Sequence, residues 1–269
     1  MYHLTARGRT TFAHAPETQT LFNNLREEAS KIGMRVNDNK TQLLCISPST
    51  NNCKSYLVTD DGTRLESSQT LKLLGFLFSD HPSPGAQVDA VVSKFRTRLW
   101  SLRYLKKSGL GEKDLCRAYT MYLRPVLEYG SVAIHSMLSQ EQSDLLDKQQ
   151  VRALKIAYGF HLSSYQVQEM SGLETLSLRR SKAVDRFALR LVDNPAFVHL
   201  FPLRPDDRRR SRVSHKYLEG HANTSRLFNS PVFYMRRRLN ALENLPTERL
   251  LTGARAQTQR CDFLYDEWR

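Results

Sequence analysis

The sequence predicts an α+β chain: a small antiparallel sheet with one helix over residues 1–82, a mainly α-helical bundle over 83–202, and a basic, partly disordered extension over 203–269. Three observations carry this. Short strand-like apolar runs and an Asp-Gly pair fill the first eighty residues, whereas after Pro84 apolar residues recur at helical spacing. Hydrophobic residues make up 40% of the 269, with 12 Gly and 10 Pro, so a packed core is within reach and global disorder is not expected. The 40 Lys and Arg exceed the 27 Asp and Glu, and nearly all of the resulting +13 sits in two windows.

The first element is a helix over 16–33, where Leu21, Phe22, Leu25, Ala29 and Ile32 share a face and Gly33 suits the C-terminal cap. A turn through Met34-Arg35-Val36-Asn37-Asp38-Asn39-Lys40-Thr41 leads to a strand over 42–46. A second strand over 55–59 meets Asp60-Asp61-Gly62, and Asp-Gly between strand-like runs marks a hairpin. The apolar run over 71–78 reads as one further, well-buried strand.

Helices follow. Over 88–107, Val88, Val91, Val92, Phe95, Leu99 and Leu102 form one apolar stripe, and Arg96, Trp100, Arg103, Tyr104 and Lys107 fall together on a neighbouring flank. Leu115, Ala118, Tyr119, Tyr122, Val126 and Tyr129 mark the next helix, with a kink or break at Pro125. Ser139-Gln140-Glu141-Gln142 is a capping box opening a helix that runs to about Tyr158 and closes at Gly159. Over 175–194, Ala183, Val184, Phe187, Ala188, Leu191 and Val192 face inward. Arg179, Lys182, Arg186 and Arg190 form a basic ladder, partly compensated by Asp185 and Asp193. Residues 203–224 read as a linker or partly disordered arm, followed by a short helix over 235–245.

The charge narrows the function classes. Residues 88–107 hold six cations and one acid, for +5; residues 204–238 hold ten cations and three acids, for +7. Two such windows suit a polyanion, because each phosphate neutralised releases counterions. The longest apolar run, about six residues near 73–78, is far below the roughly 20 needed to cross a bilayer, so no membrane partner is expected. Residues 1–9 lack the apolar stretch of a secretory signal, which points to a cytoplasmic or nuclear location, with Arg208-Arg209-Arg210 and Arg236-Arg237-Arg238 as low-specificity import patterns. Cys45, Cys53, Cys116 and Cys261 have no zinc-knuckle spacing and read as free thiols. His215, His221 and Cys261 do not make a convincing ligand set, so no metal site or cofactor is expected for this chain.

The order of these pieces resembles the C-terminal part of non-LTR (LINE-type) retrotransposon reverse transcriptases, across roughly residues 15–202. Gly33-Met34-Arg35-Val36-Asn37-Asp38-Asn39-Lys40-Thr41 resembles the fourth palm motif. Leu71-Lys72-Leu73-Leu74-Gly75-Phe76 resembles the Leu-Gly strand, or primer grip. Arg98-Leu99-Trp100-Ser101-Leu102-Arg103 and Tyr122-Leu123-Arg124-Pro125-Val126-Leu127-Glu128-Tyr129-Gly130 are similar to the thumb. Gln149-Gln150-Val151-Arg152-Ala153-Leu154-Lys155-Ile156 and Leu173-Glu174-Thr175-Leu176-Ser177-Leu178-Arg179-Arg180 continue the match. Each motif is weak alone; the family order of five is not.

The resemblance implies a palm remnant (1–82), a helical thumb (83–202) and a C-terminal extension. It implies an RNA or DNA template–primer duplex as partner, gripped mainly through phosphates, with other segments of the parent polyprotein as further partners; the two helix faces offer Arg96, Trp100, Arg103 and Lys107 and then Arg179, Lys182, Arg186 and Arg190 as the binding residues. Lys40 would stand where a family lysine approaches the incoming triphosphate. The complete enzymes hold two Mg2+ about 4 Å apart on clustered carboxylates. Residues 1–32 contain no Asp, and Tyr56-Leu57-Val58-Thr59-Asp60-Asp61 has the wrong spacing and order for the catalytic Tyr-x-Asp-Asp, so it reads as a turn. The expectation is a chain that binds template–primer without polymerising. The same residues also fit the later part of an active polymerase encoded further upstream, a host-recruited helical protein-interaction module, or a non-functional remnant.

Overall fold

The computed structural model describes residues 2–6, 9–13, 15–46, 56–80, 83–204 and 216–243, with residues up to 16 by backbone alone. The chain is α+β and divides into two compact units, residues 1–100 and 101–269. The boundary falls inside the long helix α2 (Gly85–Lys107).

In the first unit, helix α1 (Ala15–Lys31) lies on a five-stranded sheet of β1 (Tyr2–Ala6), β2 (Arg9–Ala13), β3 (Gln42–Cys45), β4 (Tyr56–Val58) and β5 (Arg64–Ser68), in the order β2-β1-β3-β5-β4. Phe22 of α1 packs with Val36, Leu43, Cys45 and Leu57, and this apolar set holds helix and sheet together. The helix ends as its glycine dictates: Gly33 sits at φ +71° and Met34 N donates to Ala29 O at 2.8 Å. The Gln19 amide also pairs with both backbone groups of Val58, at 2.8 and 2.9 Å, and so acts as a substitute strand on β4.

Two strand expectations need correction. The sheet is mixed, because β5 runs parallel to β3 while its hairpin partner β4 takes the outer edge. The run over 71–78 is also a hairpin instead of one strand: β6 (Thr70–Leu73) and β7 (Phe76–Ser79) pair antiparallel across Leu74-Gly75. Both turn residues have positive φ, +50° and +83°, as a two-residue turn of this hand demands, and Leu74 is 88% exposed at its tip. Apolar side chains at the tip make the turn look like core in the sequence. The hairpin β1–β2 is an addition that the sequence reading lacks.

The second unit is helical. After α2 come α3 (Glu112–Ala118), a π-helical turn at Tyr119–Leu123, and α4 (Arg124–Glu128). The wide turn immediately precedes Pro125, which has no N–H and would crowd the carbonyl one turn back in a regular helix. Helices α5 (Ser131–Ile134), α6 (Gln140–Tyr158), α7 (Ser164–Ser171) and α8 (Leu176–Val192) follow. The Ser139–Gln142 capping box is present, as the sequence predicts, and a second one opens α7 at Ser163–Gln166. Buried Gln150 accepts from the Tyr119 hydroxyl at 2.9 Å and donates to Glu174 O at 2.9 Å, tying the π turn, α6 and the entry to α8.

Residues 203–204 and 216–243, the described part of the C-terminal stretch, carry structure where the sequence suggests a linker up to 224. Leu203 bridges Tyr217, and α9 (Ser225–Phe228) leads to α10 (Pro231–Glu243). Tyr217, Met235 and Leu239 join Val184, Ala188 and Phe201 in one buried cluster. Arg208-Arg209-Arg210, Arg212, His215, Cys53, Cys261 and the expected helix end at 244–245 lie outside the described residues. Among the described residues no helix is long and apolar enough to cross a membrane.

Candidate nucleic-acid interface

Helix α2 carries one group of the candidate residues. Val88, Val91, Val92, Phe95, Leu99 and Leu102 are all buried, which fixes the helix's rotation. At 3.6 residues per turn, Arg96, Trp100, Arg103, Tyr104 and Lys107 then fall within an arc of roughly 100° beside that stripe. All five are exposed, Trp100 at 67% and Tyr104 at 59%. Lys106 does something else: its ammonium donates to Ile156 O at 2.6 Å and Ala157 O at 3.3 Å, closing the C-terminal end of α6 with a cation where the helix dipole favours one.

Helix α8 carries a second group of candidate residues and treats its cations differently. Arg179 pairs with Glu128 of α4, which raises the affinity of its guanidinium for the proton, and Lys182 pairs with Glu174. Arg186 and Arg190, one and two turns further on, are exposed. The ladder therefore exists in line, with its first cation ion-paired to an acid 51 residues away and its second to one only eight residues before it. Asp185 does not compensate the ladder; both its oxygens accept from Arg238 of α10, at 2.8 and 2.6 Å.

The inward face of α8 is also rotated from the predicted one. Leu176, Arg180, Val184 and Ala188 are buried at a four-residue spacing, while Phe187 is 42% exposed. Arg180 is only 1% exposed. Its Nη2 donates to Ser143 Oγ at 2.7 Å, whereas Nε and Nη1 find no acceptor among the described residues. Burial makes this guanidinium easier to deprotonate, with the fields of Asp147 and Glu128 opposing. Asp147, held at the start of α8 by Ser177 N at 3.1 Å, is in turn raised by its burial. His135 stands against Tyr234, rings edge to face at 5.6 Å; burial and the charges of Arg180 and Arg238 push it down to about 4.

The Arg236-Arg237-Arg238 run is part of the fold. Arg236 donates to Leu200 O at 2.8 Å, Arg237 donates to Phe228 O at 2.7 Å while lying 3.6 Å over that ring, and Arg238 holds Asp185. In the first unit, Lys40 is exposed at the end of the short 3-10 turn Asp38–Lys40. Arg26 bridges Asp38 and Asp60 at 2.9 Å each. Asp61 accepts from the Thr59 hydroxyl and, at 3.2 Å, from Thr63 N; the Thr59 bond leads in holding its carboxyl below the ordinary value. Asp60 and Asp61 thus serve a hairpin turn. Among the described residues no three His, Cys, Asp or Glu side chains converge as a metal site. No family model, curated protein or solved structure matches this chain.

Proposed function

We propose that this chain is the end of the palm, the thumb and the C-terminal extension of a non-LTR retrotransposon reverse transcriptase, and that by itself it binds nucleic acid without polymerising. The order of motifs supports the family reading, now with a helix–turn–strand through Lys40, a Leu-Gly hairpin and a helical bundle in succession. The exposed flank of α2 carries the binding reading, since three cations and two aromatic rings stand in one arc with the helix's single acid, Asp89, about 10 Å away along the axis. Against polymerisation by this chain, the segment 2–13 ahead of α1 contains no Asp or Glu, and Asp60 and Asp61 are committed to a turn.

A filter-binding titration with an RNA–DNA hybrid tests the first half. Affinity tighter than micromolar, falling steeply with salt, is expected; weaker binding that ignores salt overturns it. Primer extension by the purified chain with Mg2+ and nucleotides would overturn the second half.

A further inference from the structure

We infer that the seam between α6, α8 and the turn His135–Met137 holds one small inorganic anion, chloride in ordinary buffers, in contact with the buried guanidinium of Arg180. The site lies wholly within the second unit and is independent of the nucleic-acid reading. Arg180 is almost fully buried and is hydrogen-bonded through Nη2 alone, to Ser143. Its Nε and Nη1 carry most of the guanidinium's N–H groups, and both are buried without an acceptor among the described residues. Buried charges are as a rule paired with an opposite charge, because an uncompensated one is costly to keep out of water.

The acids that face α8 are already engaged. Glu128 pairs with Arg179, Glu174 with Lys182, and both oxygens of Asp185 with Arg238. Asp147, whose field reaches Arg180, forms no ion pair with it among the described residues; it accepts from Ser177 N at 3.1 Å, and its burial favours the neutral carboxyl. The other orphan groups here are donors as well. The turn His135–Met137 packs against α8 and α10, and His135 feels the charge of Arg180. With Nε2 accepting from the Tyr234 hydroxyl at 3.4 Å, the neutral ring carries its proton on Nδ1. That Nδ1 and the neighbouring Ser136 Oγ are buried and unpartnered among the described residues too. Water donates as much as it accepts, so it would leave a surplus of donors and an uncancelled positive charge. A monovalent anion accepts from all of these groups and cancels the charge. Buried as it is, the guanidinium is out of reach of a polymer's phosphates, so the ion is a small, free one.

The test follows thermal unfolding of the full chain as sodium chloride replaces sodium gluconate at constant ionic strength, with the chloride NMR linewidth as a direct probe of bound ion. The midpoint should rise along a saturating curve, by about 3–6 °C at a chloride concentration roughly tenfold above the dissociation constant, and bromide should act likewise. Arg180→Met, which keeps much of the volume and removes the cation, should abolish both the rise and the saturable part of the line broadening. Ser136→Ala should fold normally and need about fivefold more chloride for the same rise. A wild-type midpoint that ignores chloride, or a rise that Arg180→Met retains, overturns the site. If Arg180→Met does not fold, an unchanged chloride requirement in Ser136→Ala overturns it and a raised one supports it.

Discussion

Helices α2 and α8 are both amphipathic and basic, yet their cations do different work. On α2, Arg96, Arg103 and Lys107 are exposed, and Lys106 caps the end of α6. On α8, Arg179 and Lys182 meet Glu128 and Glu174, Arg180 is buried, and Asp185 is taken by Arg238. A cation's meaning depends on which acids the fold brings to it. In the function proposed here the charged face of α2 meets an external anion, whereas much of α8 is an internal clamp between α4, α6 and α10.

The largest expected effect tests that clamp. Arg180→Ala removes the Ser143 bond, opens a cavity and strips Asp147 of its nearest buried cation, which should cost about 3–5 kcal/mol in urea unfolding. Arg180→Met should cost markedly less, since two of the guanidinium's nitrogens lack acceptors among the described residues. Equal losses would mean that the charge, not the volume, is what α8 needs.

Next comes pH. His135 is depressed in the fold from 6.5 to about 4, so the unfolded chain binds the extra proton first. Its contribution is complete above about pH 6.5 and is lost as pH falls toward 4, by roughly 2–3 kcal/mol in all. His135→Phe should flatten this part of the stability–pH curve; an unchanged slope would place the titrating group elsewhere.

Asp185→Asn should cost about 1–2 kcal/mol by breaking the two-oxygen pair with Arg238, and should loosen α10 selectively in hydrogen exchange. The smallest stability effect, and the sharpest contrast, comes from surface pairs. Arg96→Ala with Arg103→Ala should leave stability within about 0.5 kcal/mol and flatten the salt dependence of nucleic-acid binding by nearly two counterions. Arg179→Ala with Lys182→Ala should do the reverse. If both pairs alter binding equally, the division drawn between α2 and α8 fails.

Much of the fold was legible because it is written in local periodicity. All six residues of the α2 stripe are buried, the Ser139–Gln142 box caps α6, and Gly33 and Gly159 close their helices. The misses share a cause. Leu74 at a hairpin tip looks like core because an apolar side chain says nothing about the turn beneath it. Arg180 looks like surface because it is charged, although its place four residues before Val184 puts it on the buried stripe. Tyr217 was hidden in a stretch that reads as linker, where an isolated bridge to Leu203 and the Asn240 amide hold the backbone in place (Tyr217 N to Asn240 Oδ1, 2.9 Å).

The candidate site divides the same way. By itself the sequence determined that Arg96, Trp100, Arg103, Tyr104 and Lys107 share a flank, because neighbours three and four apart on one helix meet whatever the rest of the chain does. That Arg179 meets Glu128 and Asp185 meets Arg238 was decided by tertiary structure, since the partners lie 51 and 53 residues apart. Helix period is a property of consecutive residues, whereas the pairing of distant charges follows from how elements pack, and no local pattern encodes it.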